Sequence, residues 1–318
     1  MAVLSIQSHV VYGYAGNTAA VFPLQRMGRE VWAINTVEFS NHTGYGSWRG
    51  KVLGADLAAD LVSGLEERGV LGRCEAILTG YLGDASMGQA ITRTVKRVRS
   101  LQQSSPDKSG TSAIYCCDPV MGDTGRGFYV KPDIPGIFKN ELLPLADIVC
   151  PNQFELEALT GIDTSTMENA VKAINILHEK GPSIVLVTSF LETEGEIGML
   201  ASGREPLPFS PSCRTGKAAG ANGKNTLYKI TTPKLPLGDN IAGTGDLTTS
   251  IFLSLYLETG NLKKTLELCA ASVYGILKIS YNKCINERNN IPMELKIIDA
   301  QSELSSPSHN FEAVTIEI

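Results

Sequence analysis

No stretch of this sequence approaches the roughly 20 consecutive apolar residues that a membrane-spanning helix needs. Nor is there a basic block: 28 Lys and Arg residues are scattered among 33 Asp and Glu, for a net charge of −5. A nucleic-acid partner demands a clustered basic footprint that neutralises phosphates, so none is expected. The seven cysteines form no C-x-x-C pair, and only four histidines are present, which leaves no zinc signature. An odd number of thiols without a spacing pattern fits reduced cysteines in a cytosolic protein. The first Lys or Arg is Arg26, so the opening segment lacks the charged start of a secretory signal, and the Asn41–Thr43 glycosylation triplet is accidental. No lipidation or retention signal closes the chain. The expectation is a cytoplasmic protein with no membrane and no nucleic-acid partner. Nucleotide fingerprints are missing as well. G-x-x-x-x-G-K-S/T occurs nowhere, and "GYGSWRG" and "GTGDLTT" each lack the third glycine of a dinucleotide loop. A nicotinamide-linked dehydrogenase is therefore disfavoured.

What is present is an alternation. Val3–Ile6, Val31–Val37, Ala76–Leu78, Ala113–Cys117, Asp147–Cys150 and Ile184–Thr188 read as strands, mostly continuous apolar runs. Helical patterns separate them. In Met167–Lys180, Ala170, Val171, Ile174 and Leu177 make one apolar stripe, and His178 reads as a plain surface or edge residue. Such alternation predicts an α/β protein with a mainly parallel sheet covered on both faces, and ligands beyond the C-terminal strand ends. Cys116 and Cys117, neighbours in one strand, should point to opposite faces. The 318 residues are expected to form a single domain. Gln102–Thr111 and Ser202–Asn225 read as polar surface excursions, the second disordered at its tip, and about 305–318 as a tail.

The segment "NIAGTGDLTTS", Asn240–Ser250, places two glycines and an aspartate before an apolar run, Leu247 to Leu257. Gly243 and Gly245 permit positive φ and close approach of the backbone to a ligand. The N–H groups opening the following helix, at the positive end of its dipole, can hold an anion such as a phosphate. Asp246 is then either a helix cap or a proton acceptor, and this segment alone leaves both open.

The loops after the strands decide the matter together. "QSHVVYGYAGNTAAVFPLQRMG", "NTVEFSNHTGYGSWRG", "LTGYLGD", "CDPVMGD", "LADIVCPNQFELEALTG", "VTS" and "GTGDL" occur in that order. The chain resembles the pyridoxal kinases of the ribokinase-like superfamily, in their eukaryotic style, from Val3 to about Leu304. "G-x-G-D" alone is a superfamily signal, whereas "S-H-V" with "F-S-N-H-T-G-Y" and "G-T-G-D" is specific to vitamin B6 kinases.

That resemblance implies a ribokinase-like three-layer α/β/α sandwich that moves the γ-phosphoryl of ATP to the 5′-hydroxymethyl of pyridoxal, pyridoxine and pyridoxamine. It implies Asp246 as catalytic base, with the amides around Ala242–Gly245, including Gly243 and Gly245, as the anion hole. By similarity, Ser8, Val37, Phe39, His42, Thr43 and Tyr81 contact the vitamin, with Trp48 as further aromatic wall and Tyr129 reaching it when a flap, Gly122–Pro132, closes. Plain core for Phe39 and Trp48, and turn formation for Ser8 and Thr43, are the alternatives. Asp118, Asn152, Glu155, Thr188, Ser189, Thr244 and Gly245 resemble the nucleotide and cation contacts. Asp118 and Glu155 are the candidates for Mg²⁺, directly or through water, and a monovalent cation such as K⁺ is expected near Asp118, Asp123 and Cys150. A homodimer is implied by the family alone. Tyr12 and Gly83 stand where the family often has basic residues, and Cys150 where threonine is common. The rival readings are a hydroxymethylpyrimidine kinase of the same fold and a catalytically inactive B6-binding protein.

Overall fold

The computed structural model describes residues 2–104, 112–204, 225–237, 241–285 and 293–317. Expectations that fall on 105–111 and 205–224, including the tip of the second excursion, lie outside the described residues. So does Cys213.

Six parallel strands make the centre of one sheet, and their order is not the chain order. From one side run β9 (Ile184–Phe190), β8 (Ile148–Val149), β5 (Ile114–Cys117), β4 (Cys74–Thr79), β1 (Ala2–Tyr12) and β2 (Glu30–Asn41). β3 (Gly50–Val52) adds to β2 antiparallel, and beyond β9 come β10 (Glu196–Arg204), β11 (Asn225–Pro233) and β12 (Val314–Ile316), also antiparallel. The mainly parallel expectation holds, with antiparallel extensions at both edges. Ser202 belongs to β10 rather than to an excursion, and the expected tail supplies the edge strand β12.

Two helical layers cover the sheet. α1 (Asn17–Arg26), α7 (Thr244–Thr259) and α8 (Leu262–Cys284) pack on one face against Val3, Leu78, Cys116 and Leu186. On the other face α2 (Ala55–Glu67), α3 (Ala85–Gln103), α5 (Gln153–Thr160) and α6 (Met167–Lys180) pack against Leu4, Ile77, Cys117 and Val185. A short helix, α4 (Ile134–Ile137), completes that layer. Period-two alternation sends Cys116 and Cys117 to opposite faces, as expected. Each fully buried Leu or Ile contributes about 1.5–3 kcal/mol relative to exposure, so strands apolar on both sides belong in the middle of the sheet. The six described cysteines are all free thiols.

Local signals set the helix starts. Asp84 caps α3 by accepting from the Ser86 amide at 3.0 Å, and Thr166 caps α6 by accepting from Asn169 at 3.3 Å. The inner stripe of α6 is Ala170, Ala173, Ile174 and Leu177, with Val171 turned to its margin. His178 is not a plain surface residue. It is half-buried, its Nδ1 lies 2.8 Å from the Pro182 carbonyl and its Nε2 lies 2.9 Å from Ser202 Oγ, so it ties α6 to β10. Leu247 through Leu257 of α7 are buried without interruption, because the helix lies between the sheet and its neighbours α1 and α8. Among the described residues no helix is long and apolar enough to cross a membrane.

Candidate active site

All but one of the site residues named from the sequence line one cavity of about 900 Å³ at the C-terminal edge of the parallel strands. Trp48 does not: it is 45% exposed and backs Phe39, with ring centroids 6.0 Å apart.

Gly243 is the N-cap of α7, with φ of +79°, and a Cβ there would stand 2.2 Å from the Tyr14 carbonyl oxygen. Glycine is required on both counts. Gly245 differs from the expectation. It has helical backbone, and a Cβ there would come only within 3.9 Å of Asp118 Oδ2. The first amide bond within the helix runs from Leu247 to the Gly243 carbonyl at 2.9 Å, leaving the amides of Thr244, Gly245 and Asp246 without a partner inside the helix. They form the positive terminus expected of an anion site.

The helix-cap reading of Asp246 fails here. α7 has no side-chain cap, and Asp246 occupies its third position, where its Oδ2 accepts from the Gly16 amide at 2.8 Å. Burial raises its pKa, and the Gly16 N–H pulls the other way. Gly16 itself has φ of +56°, and a Cβ would lie 2.2 Å from the Ser8 carbonyl oxygen. The adjoining Asn17 is buried and pins the start of α1. Ser5 Oγ donates to its Oδ1 at 2.7 Å, and its Nδ2 donates to the Ile34 carbonyl at 3.1 Å and Asn35 Oδ1 at 2.7 Å.

At the expected vitamin end the strands run further than their apolar cores suggest. Ser8 and Phe39 lie on β1 and β2 themselves, not in the loops after them. The β1–β2 register slips between Gln7 and His9, so Ser8 sits at an irregularity that re-aims a side chain. Val37 is fully buried, and Gly83 lies against it with φ of +73°, which accounts for glycine at that departure from the family. Tyr12, the other departure, is exposed and meets the Tyr45 ring edge-on at 6.0 Å. His42 is buried, and its Nε2 lies 2.8 Å from Glu294 Oε1.

At the other end, Asp118 and Glu155 are buried. Burial pushes the Asp118 carboxyl well above the usual range, and the charges of Glu155 and Asp246 add to the effect. Thr249 Oγ1 donates to Asp118 Oδ2 at 3.1 Å. Burial likewise pushes Glu155 up to about 8. Glu155 is also structural: with Asn152 it forms the capping box of α5, and its two oxygens accept from the Met121 and Asn152 amides at 2.9 and 3.0 Å. The Asn152 side chain in turn donates to the Gly122 carbonyl at 2.8 Å. Thr188 and Ser189 are half-buried at the end of β9. Among the described residues no group of three or more His, Cys, Asp or Glu is arranged to hold a metal ion.

The expected flap contains a small hairpin, β6 (Gly122–Asp123) with β7 (Gly127–Phe128). Phe128 packs edge-on against Phe154 at 4.9 Å, and Lys131 reaches Asp84 at 2.8 Å, so this segment is held from both ends in this state. Tyr129 lies between those anchors and faces the cavity.

Three parts of the site escape the sequence. One is the Gly16 amide on Asp246, a backbone contact with no side-chain signature. A second is Glu294. The third is an apolar end built from Ile197, Met199, Leu235, Ile241, Val273 and Leu277, which brings β10, the segment after β11 and α8 into the cavity. Those residues read as ordinary core or loop, and only the tertiary arrangement joins them.

Residues 71–207 match the family described as phosphomethylpyrimidine kinase. A pyridoxal kinase PdxY of Rubrobacter xylanophilus is 44% identical over 313 residues, spanning 97% of this chain and 95% of that one. The PdxY of Granulibacter bethesdensis is 43% identical over 317 residues, spanning 98% and 99%. A pyridoxal kinase of Leishmania donovani, solved in complex with ADP and pyridoxine, matches 99% of both chains at a TM-score of 0.86 and 28% identity. The fold is therefore ribokinase-like, and with such likeness along nearly its whole length the chain belongs to the pyridoxal kinase family.

Proposed function

We propose that the chain phosphorylates the 5′-hydroxymethyl group of pyridoxal, and of pyridoxine and pyridoxamine, with ATP, giving pyridoxal 5′-phosphate in vitamin B6 salvage. The observation that carries this is the Asp246 carboxylate standing beside the amides that open α7 without partners inside the helix, in one cavity with both expected halves of the substrate site. Asp246 takes the hydroxyl proton as the oxygen bonds to the γ-phosphorus and the bond to the ADP oxygen breaks. The amides of Ala242 to Gly245 receive the charge on the transferred group. Ser8, Val37, Phe39, His42, Thr43 and Tyr81 hold the vitamin, and Tyr129 closes over it. Asn152, Thr188, Ser189 and Thr244 orient the phosphates.

Asp118 and Glu155 suit a divalent cation, because burial with like charges nearby raises both carboxyls and a bound cation relieves that cost. Mg²⁺ takes few protein ligands and keeps waters, which fits a Glu155 whose oxygens already serve two amides. When bound, the ion supplies positive charge beside the phosphates. A monovalent cation such as K⁺ belongs near Asp118, Asp123 and Cys150. The protein acts in the cytoplasm, as a single kinase domain over residues 1–318. Exposed Val52, Leu57 and Leu61 near the β3 edge support a homodimer.

The phosphomethylpyrimidine kinase match favours a second reading, a hydroxymethylpyrimidine kinase. Against it stand His42 and Thr43 of the "SNHTGY" phrase in the cavity. The placement of Asp246 and Gly243 weighs against an inactive B6-binding protein. A coupled assay with ATP and each B6 vitamer, and with hydroxymethylpyrimidine, with and without K⁺, tests these readings. Turnover of pyridoxal supports the first. No turnover of any B6 vitamer, or preference for the pyrimidine, rejects it.

A further inference from the structure

Glu294 is distant in sequence from every motif of the site, yet its carboxylate joins two of the loops. Oε2 accepts from the Tyr14 amide, in the loop after β1, at 3.1 Å. Oε1 accepts from the Tyr45 hydroxyl at 2.8 Å and lies 2.8 Å from His42 Nε2, both in the segment after β2. Its side chain is only 11% exposed. Burial by itself would raise its pKa, but the bonds from His42 and Tyr45 outweigh that and hold it lowered, so the group is a carboxylate. A largely shielded carboxylate with three donors is strongly held, because each such bond is charge-assisted and removal of one partner exposes the desolvation cost of the rest.

The chain has adapted to this group at a second place. Gly13 has φ of +87°, and a Cβ there would lie 2.5 Å from Glu294 Oε1. The loop after β1 can lie flat on the carboxylate only because that position is glycine. Of the residues in this cluster, His42 lines the cavity, and Ala15, Thr43 and Gly44 beside it do too. Glu294 touches none of the space itself.

We infer that Glu294 is a positioning residue that fixes the two vitamin-side loops against each other and so sets the affinity for the pyridine substrate. This rests on the proposed placement of the vitamin at the Ser8–Thr43 end. The base is held further along the loop after β1, by the Gly16 amide, where the bonds of the adjoining Asn17 fix the backbone independently of Glu294. Glu294 therefore acts on substrate binding and leaves the chemical step largely alone.

Steady-state kinetics of Glu294→Gln, Tyr45→Phe and the double variant test this, with pyridoxal and ATP each varied. Glu294→Gln keeps shape and loses charge, and the pyridoxal KM should rise about tenfold or more while kcat and the ATP KM stay within about twofold. Tyr45→Phe removes one donor and should raise the pyridoxal KM about threefold. The double variant should add less than about twofold to Glu294→Gln, since both weaken the same Tyr45–Glu294 bond, one by removing its charge and the other by removing its donor. An unchanged pyridoxal KM, an equal rise in both KM values, or fully multiplicative effects overturns the inference. Thr43→Ala, run alongside, separates it from the underlying reading. If Thr43→Ala raises only the ATP KM, the substrate halves are reversed and both ideas fall. If it raises the pyridoxal KM while Glu294→Gln does not, only the role of Glu294 is lost.

Discussion

The carboxylate of Asp246 is held by the backbone N–H of Gly16, 230 residues earlier in the chain, at 2.8 Å. This bond joins the start of α1 to the first turn of α7 and leaves the second carboxylate oxygen uncommitted among the described residues. Asp246→Asn keeps the shape and removes the proposed proton acceptor. The expected result is a fall in kcat of about 10² or more with little change in pyridoxal KM. A turnover number near wild type would remove Asp246 as the base.

Gly243 meets two constraints, a left-handed backbone and the Tyr14 carbonyl against it. Gly243→Ala should therefore lower the urea midpoint, by about 1–3 kcal/mol of stability, and displace the anion-binding amides so that kcat falls at saturating substrate. Wild-type kcat with wild-type stability would show that the loop tolerates a Cβ.

Ser8 and Thr43 stand at the end of the cavity away from Asn152 and Thr188. Ser8→Ala and Thr43→Ala should each raise the pyridoxal KM by about threefold to tenfold and leave the ATP KM alone. The reverse pattern would exchange the two halves of the site.

The buried acids make the cation effect depend on pH. Glu155 is raised from 4.5 to about 8, so the folded chain binds its proton more tightly than the unfolded chain. Its contribution is complete below about pH 4.5 and is lost as the pH climbs through about 8. A divalent cation that lies near the ionised pair offsets that loss. MgCl₂ should therefore raise the Tm more at about pH 8.5 than at about pH 6. Equal shifts at the two values would place the cation elsewhere. Chelation of the divalent ion should abolish turnover.

His178 carries the opposite sign. Burial lowers its pKa below 6.5, and the Pro182 carbonyl, which can only accept, puts the neutral proton on Nδ1. Its contribution is complete above pH 6.5 and declines as the pH falls toward the lowered folded value. His178→Gln should flatten the acid side of the stability curve measured by urea denaturation. An unaltered acid limb would show that other groups govern it.

The parts of the molecule legible in the sequence are those written locally. The apolar runs of β1, β4 and β9 gave strands because their residues are buried on both faces, and "GTGD" gave the start of α7 because glycines and an apolar run share one segment. The strand ends were less legible. Ser8, Phe39 and Asn41 are polar or mixed in pattern, yet pairing with neighbouring strands carries β1 and β2 beyond their apolar cores. Glu294 carries no signal in the sequence, and His178 reads there as a surface or edge residue of its helix, because the partners of both lie on other elements. Gly245 looked equivalent to Gly243, and only the backbone separates the cap from the helical position.

β1 lies inside the sheet, between β4 and β2, and carries Ser8, while Asp246 and Glu294 come from α7 and the segment beyond α8. Synthesis from the N-terminus thus delivers the proposed vitamin loops first and the proposed proton acceptor much later. A nascent chain halted before α7 owns most of the sheet and none of the reaction. In a translation mixture, turnover would count only chains whose closing stretch has been made and folded back onto their opening strand.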